Sequence, residues 1–334
     1  MTAETSRGAV LVAGGAGYIG SHTAKALKAE GYTPVVLDDL SMGHEWAVKF
    51  GPFVRANMSD AEAVRAAICE HGITAAVLFA ASAYVGESVA DPRKYYVNNV
   101  SAMETFLGAL VDEGVRRVIF SSSCATYGVP EAMPLVESHP QLPISPYGET
   151  KLVGERMLAW FDAPYNLKHV ALRYFNASGA DPDGEIGEVH DPETHLIPLV
   201  MGAALGTRGP ITVFGTDYPT PDGTAVRDYI HVADLADAHV RALRHLEDGG
   251  DSLRLNVGTG RGHSVNEIIA AVERETGRDV PRVYGARREG DPPELYANPA
   301  LIRETLGWTP RHSDLPTIVG TAWRWELKRR ETGL

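Results

Sequence analysis

A chain of 334 residues, 44% of them apolar, is long enough to bury a sizeable core as one large domain and a smaller one. Its 31 basic and 43 acidic residues leave a net charge of −12, which argues against broad binding to nucleic acid or to an anionic membrane, though not against an anionic ligand in a local basic pocket. Cys69 and Cys124 give no disulfide framework and suit a reducing, cytoplasmic setting. Residues 1–8 read as a disordered terminus without the apolar run of a signal peptide, and no stretch approaches the length of a membrane-spanning helix.

In chain order, residues 9–13 predict a buried strand and 18–30 a helix ended by Gly31. Residues 33–37 predict a second strand. A helix is expected over 62–71, with Ser59 and Glu62 forming a capping box. Strands follow at 74–79, 117–121 and 168–174, separated by helices over 95–113 and 147–162. This β-α-β rhythm predicts an α/β fold: a Rossmann-type, doubly wound parallel sheet covered on both faces. The rhythm loosens after Asn176, and 181–193 and 215–223 read as loops. Helices at 232–246 and 265–276, a strand at 253–257, a capping box at Ser264 and Glu267, and Asn298-Pro299 at a helix start complete the reading. The division expected is a dinucleotide-binding domain over 9–176 and a smaller C-terminal α/β substrate-binding region over 177–334, interleaved with some Rossmann elements.

Gly14-Gly15-Ala16-Gly17-Tyr18-Ile19-Gly20 stands where strand meets helix. Glycines there allow a tight turn, close approach of a pyrophosphate and close helix–sheet packing, while the helix N-terminus offers N–H groups and a favourable dipole. The spacing is G-x-x-G-x-x-G. Asp38 ends the second strand, where a carboxylate bonds ribose hydroxyls and repels a 2′-phosphate; no basic residue follows closely, which favours NAD over NADP. Tyr147 and Lys151 lie one turn apart on a helix that Pro146 helps to start. A nearby ammonium and a positive nicotinamide ring both favour the phenolate. Spacing alone makes only an ordinary helix-surface pair. Ser121-Ser122-Ser123 follow a strand and can bring a hydroxyl to the substrate, although serines there are commonly a turn. Arg227-Asp228-Tyr229 and Arg287-Arg288-Glu289-Gly290-Asp291 are candidate diphosphate and ribose contacts. Glu188, His190, Asp191, Glu193 and His195 cluster in one segment without a familiar zinc spacing, so no metal is expected.

With these residues in view, the chain resembles the UDP-glucose 4-epimerases of the extended short-chain dehydrogenase/reductase family, over nearly its whole length. The resemblance rests on GGAGYIGSH from Gly14, VGESV from Val85, YYVNNV from Tyr95, SPYGETK from Ser145, LRYFN from Leu172, FGTDYPTPDGTAVRDYIHV from Phe214 and RREGD from Arg287. SSCATYG from Ser122 and GEVHDPETHLIP from Gly187 are similar to the branch with exopolysaccharide-type epimerases and plant UDP-arabinose 4-epimerases.

The resemblance implies that Tyr147 is the base, that Lys151 tunes it and that Ser123 is its hydroxyl partner. It implies NAD contacts at Gly14, Gly17, Tyr18, Ile19, Gly20, Asp38, Asp39, Asn57, Met58, Phe79, Ala80, Ala81, Asn98, Ser121, Tyr147, Lys151 and Phe175. It implies UDP-sugar contacts at Ser123, Tyr147, Asn176, His195, Leu196, Phe214, Arg227, Tyr229, Arg288 and Asp291. The implied reaction is reversible inversion at C4 of UDP-glucose and UDP-galactose through a 4-keto sugar, in a homodimer. A UDP-xylose/UDP-arabinose 4-epimerase is the alternative, followed by a 4,6-dehydratase and a non-catalytic NAD-binding protein. The chain departs from the pattern at Asn57, where an aspartate is usual, at Ala83, where some members carry lysine, at His195, which replaces an asparagine, and at Leu295, where bulk goes with exclusion of N-acetylated sugars.

Overall fold

The computed structural model describes residues 7–288 and 291–334. A seven-stranded sheet holds β1 (Ala9–Ala13), β2 (Thr33–Asp38), β3 (Phe53–Arg55), β4 (Ile73–Leu78), β5 (Arg117–Ser123), β6 (Lys168–Tyr174) and β7 (Leu253–Val257), in the order β7-β6-β5-β4-β1-β2-β3. Each pairing is parallel. Side chains alternate between two apolar cores. Leu11, Ala76 and Val118 face one, while Val10, Val12, Val77 and Ile119 face the other. Helices α1 (Tyr18–Ala29) and α6 (Val232–Glu247) cover one face. On the other lie α2 (Ala61–His71), α3 (Ala102–Asp112) and α4 (Pro146–Tyr165). Strand order reverses between β1 and β4, and the crevice beyond the carboxyl ends of these strands is where such folds bind ligands.

A separate core gathers α5 (Leu196–Ala204), α7 (Val265–Thr276), α8 (Leu315–Thr332) and the strand Ile211–Phe214. The chain returns from this region to the main sheet through α6 and β7.

Several local expectations need correction. Asp60, not Ser59, caps α2: its side chain accepts from Ala63 N, while Ser59 bonds Asn57. Pro299 is itself the cap of Ala300–Leu306, and Asn298 Oδ1 accepts from Ala300 N at 3.0 Å. The single helix expected over 95–113 is three segments, Pro92–Tyr96, a wider π-type turn Val97–Ser101, and α3. β5 runs through Ser123, so the three serines are strand and not turn. Residues 1–6 lie outside the described structure, but Arg7 already bonds Gly31 O through its N–H at 3.0 Å. α8 was not anticipated, although Pro316 stands in its first turn. Its cap is Asp314, which accepts from Thr317 N.

Candidate active site

The glycine turn sits at the crevice. Gly14 has φ 79°, and a Cβ there would lie 2.5 Å from Ala80 N; at Gly20 a Cβ would lie 2.2 Å from Gly14 O. The protein's own packing therefore requires these two glycines. Gly17 differs: a Cβ would meet only Gly14 O, at 3.4 Å, an ordinary contact. Gly17 caps α1 with no side chain bonded to the first-turn N–H groups and no acidic residue in that turn. A bare helix N-terminus with space in front of it fits a pyrophosphate.

Asp38 ends β2 nearly buried and accepts from Ala16 N at 3.0 Å and Leu40 N at 2.9 Å. Burial raises its pKa, and the two N–H donors oppose that. Asp39 accepts from Asn57 Nδ2 at 2.6 Å. The Asn57 departure thus replaces what would be two facing carboxylates with a donor and an acceptor. The Tyr18 hydroxyl donates to Gly179 O at 2.7 Å, and Ile19, next to it in the first turn of α1, packs against the sheet core. Met58 is buried in the sheet core, whereas Phe79, Ala80 and Ala81 follow β4 beside Gly14. Asn98 lies in the π-type turn and bonds Ser82 and Asn99. These placements fit NAD at the switch point.

Ser145 caps α4, accepting from Gly148 N at 3.2 Å, with Pro146 at the first helical position. The cap aims Tyr147 and Lys151 at the end of β5. The Lys151 ammonium is buried, donates to Ser121 O at 2.7 Å and sits 5.8 Å from the centre of the Tyr147 ring. Burial pushes it down to about 7. Burial also raises the Tyr147 hydroxyl well above its usual value, with Tyr174 adding, while a bond from Ser123 pulls the other way. The protein's own groups therefore keep Tyr147 a phenol, and a positive charge beside it would favour the phenolate. Ser123 Oγ accepts from Ala125 N at 3.1 Å. Ser121 Oγ bonds the Tyr174 hydroxyl, a partner the sequence did not single out.

Asn176, Glu188, His195, Leu196 and Tyr229 line one recess. Arg227 pairs with Asp291, and both charges act on the buried Tyr229 hydroxyl. The Arg288 guanidinium stacks 4.1 Å above the Phe214 ring, a cation–π contact. Asn176 is fixed by its N–H and Nδ2 to Asp228 O, at 3.1 and 3.0 Å. Asp228, grouped with Arg227 in the sequence reading, is instead a buried anchor that accepts from Thr259, Gly260 and Ala297. Glu289 and Gly290 of the second basic stretch lie outside the described residues. Phe175 and Leu295 pack in one small cluster with Tyr127 and Cys124, and Leu295 pairs with Arg227.

Glu188 was read only as a possible metal ligand. It is buried between His190 and His195, whose Nδ1 atoms both turn to its Oε1. Burial works against its charge, but the two imidazoles hold it down at about 2. His190, for its part, is raised to about 10 by Glu188 and Glu193 against the effect of burial.

Residues 10–258 match the model of the NAD dependent epimerase/dehydratase family. The chain is similar to a UDP-glucose 4-epimerase of Rhizobium leguminosarum bv. trifolii, 51% identical over 96% of this chain and 98% of that one. Its fold superposes on a crystal structure of UDP-glucose 4-epimerase from Brucella ovis in complex with NAD, with TM-score 0.93, 56% identity and coverage of 95% and 97% of the two chains. It also superposes on UDP-glucose-4-epimerase from Stenotrophomonas maltophila with bound NAD and formylated UDP-arabinopyranose, with TM-score 0.95, 41% identity and coverage of 98% and 100%. A glycine turn built for a dinucleotide, a Tyr–Lys pair at the sheet edge and these likenesses lead to one conclusion: the chain belongs to the NAD dependent epimerase/dehydratase family.

Proposed function

We propose that this enzyme inverts C4 of a UDP-hexose and so interconverts UDP-glucose and UDP-galactose. The observation that carries the reading is the position of Tyr147. Its hydroxyl is bonded by Ser123, and the Lys151 ammonium lies 5.8 Å from the centre of its ring. Tyr147 takes the proton of the 4-hydroxyl, directly or through Ser123. NAD held at the glycine turn by Asp38 and Lys151 would supply the acceptor for the C4 hydride, to be given back to the opposite face of the sugar. Lys151 orients the nicotinamide ribose, and Asp38 holds the adenosine ribose. Arg227, Asp291, Arg288, Phe214, Asn176 and Leu196 hold the uridine diphosphate, so that binding of the non-reacting part keeps the 4-keto sugar in place while it turns over. His195 and Tyr229 flank the sugar. No net oxidation occurs, so the cofactor is not consumed.

A UDP-pentose 4-epimerase is the second reading, because C4 chemistry is the same and the Stenotrophomonas protein holds a UDP-arabinopyranose derivative. A dehydratase is disfavoured. Cys124 and Ala125 follow Ser123 where that chemistry calls for an Asp-Glu pair, and burial pushes the Cys124 thiol up to about 12. A homodimer is proposed through the helices over 92–112 and α4, where Val97 is 56% and Trp160 81% exposed and Gly108 leaves open space above its Cα. Among the described residues no helix is long and apolar enough to cross a membrane; a cytoplasmic location is proposed on the reduced cysteines.

The test is to incubate the purified protein, without added cofactor, with UDP-glucose or UDP-galactose and follow products by NMR, alongside Tyr147→Phe. The wild type should give one common mixture from either sugar. Tyr147→Phe should lose at least about 10²-fold in turnover and keep its NAD. No product from the wild type even with added NAD, or undiminished turnover by Tyr147→Phe, contradicts the assignment.

A further inference from the structure

Loop 188–195 brings Glu188, His190, Glu193 and His195 together. One donor atom from each, two imidazole Nδ1 and two carboxylate oxygens, lies within 4.8 Å of all the others. His190 Nδ1 is 3.0 Å from Glu188 Oε1 and 3.8 Å from Glu193 Oε2, and His195 Nδ1 is 4.0 Å from Glu193 Oε1. Ligands about 2.1 Å from a tetrahedral zinc ion stand roughly 3.4 Å apart. These separations bracket that edge, and the closer Glu188–His195 contact must open.

A second observation concerns His190 alone. Its Nδ1 is buried and has no hydrogen-bond partner, although Glu188 Oε1 is only 3.0 Å away. The nitrogen is therefore misaligned with its neighbour, and an unsatisfied buried polar atom is costly. A cation among the four donors would satisfy it. The neighbouring acidic group, Asp181, Asp183 and Glu185, already holds the Lys25 ammonium at 2.8, 2.8 and 2.9 Å. No Lys or Arg ion pair is formed by Glu188 or Glu193 among the described residues.

The loop is also fixed in advance. Trp325 Nε1 donates to Glu188 O at 3.0 Å, His44 Nε2 bonds Val189 O at 3.1 Å, and the Tyr84 hydroxyl donates to Pro192 O at 3.2 Å. Little ordering is left to oppose binding. His195 is half-exposed at the lip of the recess, which gives an ion a way in.

We propose that Glu188, His190, Glu193 and His195 form a binding site for a divalent cation of the zinc class. Two carboxylates balance its charge, and the two imidazoles, which Glu188 and Glu193 hold protonated, each release a proton to solvent as the ion binds. The ion would fix His195 at the rim of the sugar recess and pin the loop that His44, Tyr84 and Trp325 hold. Its role is structural and is separate from the hydride chemistry.

The test uses untagged full-length protein stripped with a chelator and exchanged into metal-free buffer. Zinc is then titrated in competition with a chromophoric chelator near neutral pH, and thermal unfolding is followed with and without zinc. About one equivalent per chain is expected, with tighter binding as pH rises because the imidazoles must lose their protons. Since even outer-shell partners are worth about 10–100-fold in affinity, His190→Ala should weaken binding by more than about tenfold, and so should Glu193→Gln, and both should remove the thermal shift. Glu193→Gln guards against a folding defect in His190→Ala, and retained NAD content reports folding for each. No binding by the wild type overturns the proposal. So does zinc bound equally by the wild type and both variants, which is then an adventitious ion only. Neither result bears on C4 turnover.

Discussion

Gly14, Gly17 and Gly20 look alike in the sequence and do different work. At Gly14 and Gly20 an added Cβ would run into backbone at 2.5 and 2.2 Å, whereas at Gly17 it would make one ordinary contact. Gly17→Ala should therefore cost the cofactor-free protein no more than about 1 kcal/mol, the value of a changed helix cap. It should nonetheless strip the purified protein of NAD, read by absorbance of the extracted cofactor. Full NAD content in Gly17→Ala would show that the space at this helix end is not where the pyrophosphate lies. Type and spacing singled out Tyr147, Lys151, Asp38 and the glycines, and the structure sets the Lys151 ammonium 5.8 Å from the Tyr147 ring centre and Asp38 against Ala16 N of the glycine turn. What was not legible is electrostatic sign. Spacing suggests that Lys151 lowers Tyr147, but burial works on both groups, pushing Lys151 down to about 7 and Tyr147 up. Desolvation depends on what surrounds a side chain in three dimensions, and no local pattern records it. For the same reason Asp228, adjacent to a ligand-type arginine, could not be told from one; its partners Thr259 and Ala297 are remote in sequence.

At the level of elements, the sheet edge that carries the site is braced by a buried ion pair. Arg173 of β6 donates to both oxygens of Glu155 in α4, at 2.9 and 2.6 Å, and Ser122 Oγ of β5 donates to Glu155 at 2.5 Å. Burial opposes the Glu155 charge, but Arg173 and Ser122 outweigh it and hold the carboxyl below its usual value. α4 is thereby tied to the same strand end that carries Ser123. Glu155→Gln would leave Arg173 buried and unpaired and should cost about 3–5 kcal/mol in chemical denaturation. A depressed carboxyl contributes its stability fully above the unfolded value of about 4.3, and this is lost as pH falls through the folded value. The gap between the wild type and Glu155→Gln should therefore be full at neutral pH and close in acid; a gap that does not change with pH would rule out the charge as its source. Strands with apolar runs and helices with Ser264-type caps were read to the residue or nearly so. Boundaries failed where two cap candidates adjoin, as at Ser59 and Asp60, and where a π-type turn breaks a helix whose period continues through it.

For the molecule as a whole, the parallel sheet was legible because β-α-β order leaves few topologies, while the order of the C-terminal strands was not, since those pairs are short and join remote segments. The exposed Val97 and Trp160 mark the face proposed for a second copy. Sedimentation at micromolar concentration should give a dimer, and Trp160→Asp should shift it towards monomer with NAD retained. A wild-type monomer would remove that interface. The central claim, that C4 loses a hydride and regains the same one within the closed site, is tested most directly with UDP-glucose deuterated at C4, incubated with the enzyme in ordinary water. The account predicts UDP-galactose that keeps its deuterium at C4 and, in the reverse design, no uptake of deuterium from heavy water. Loss of the label to solvent, or its uptake from solvent, would mean that C4 inverts by proton exchange and would contradict the assignment.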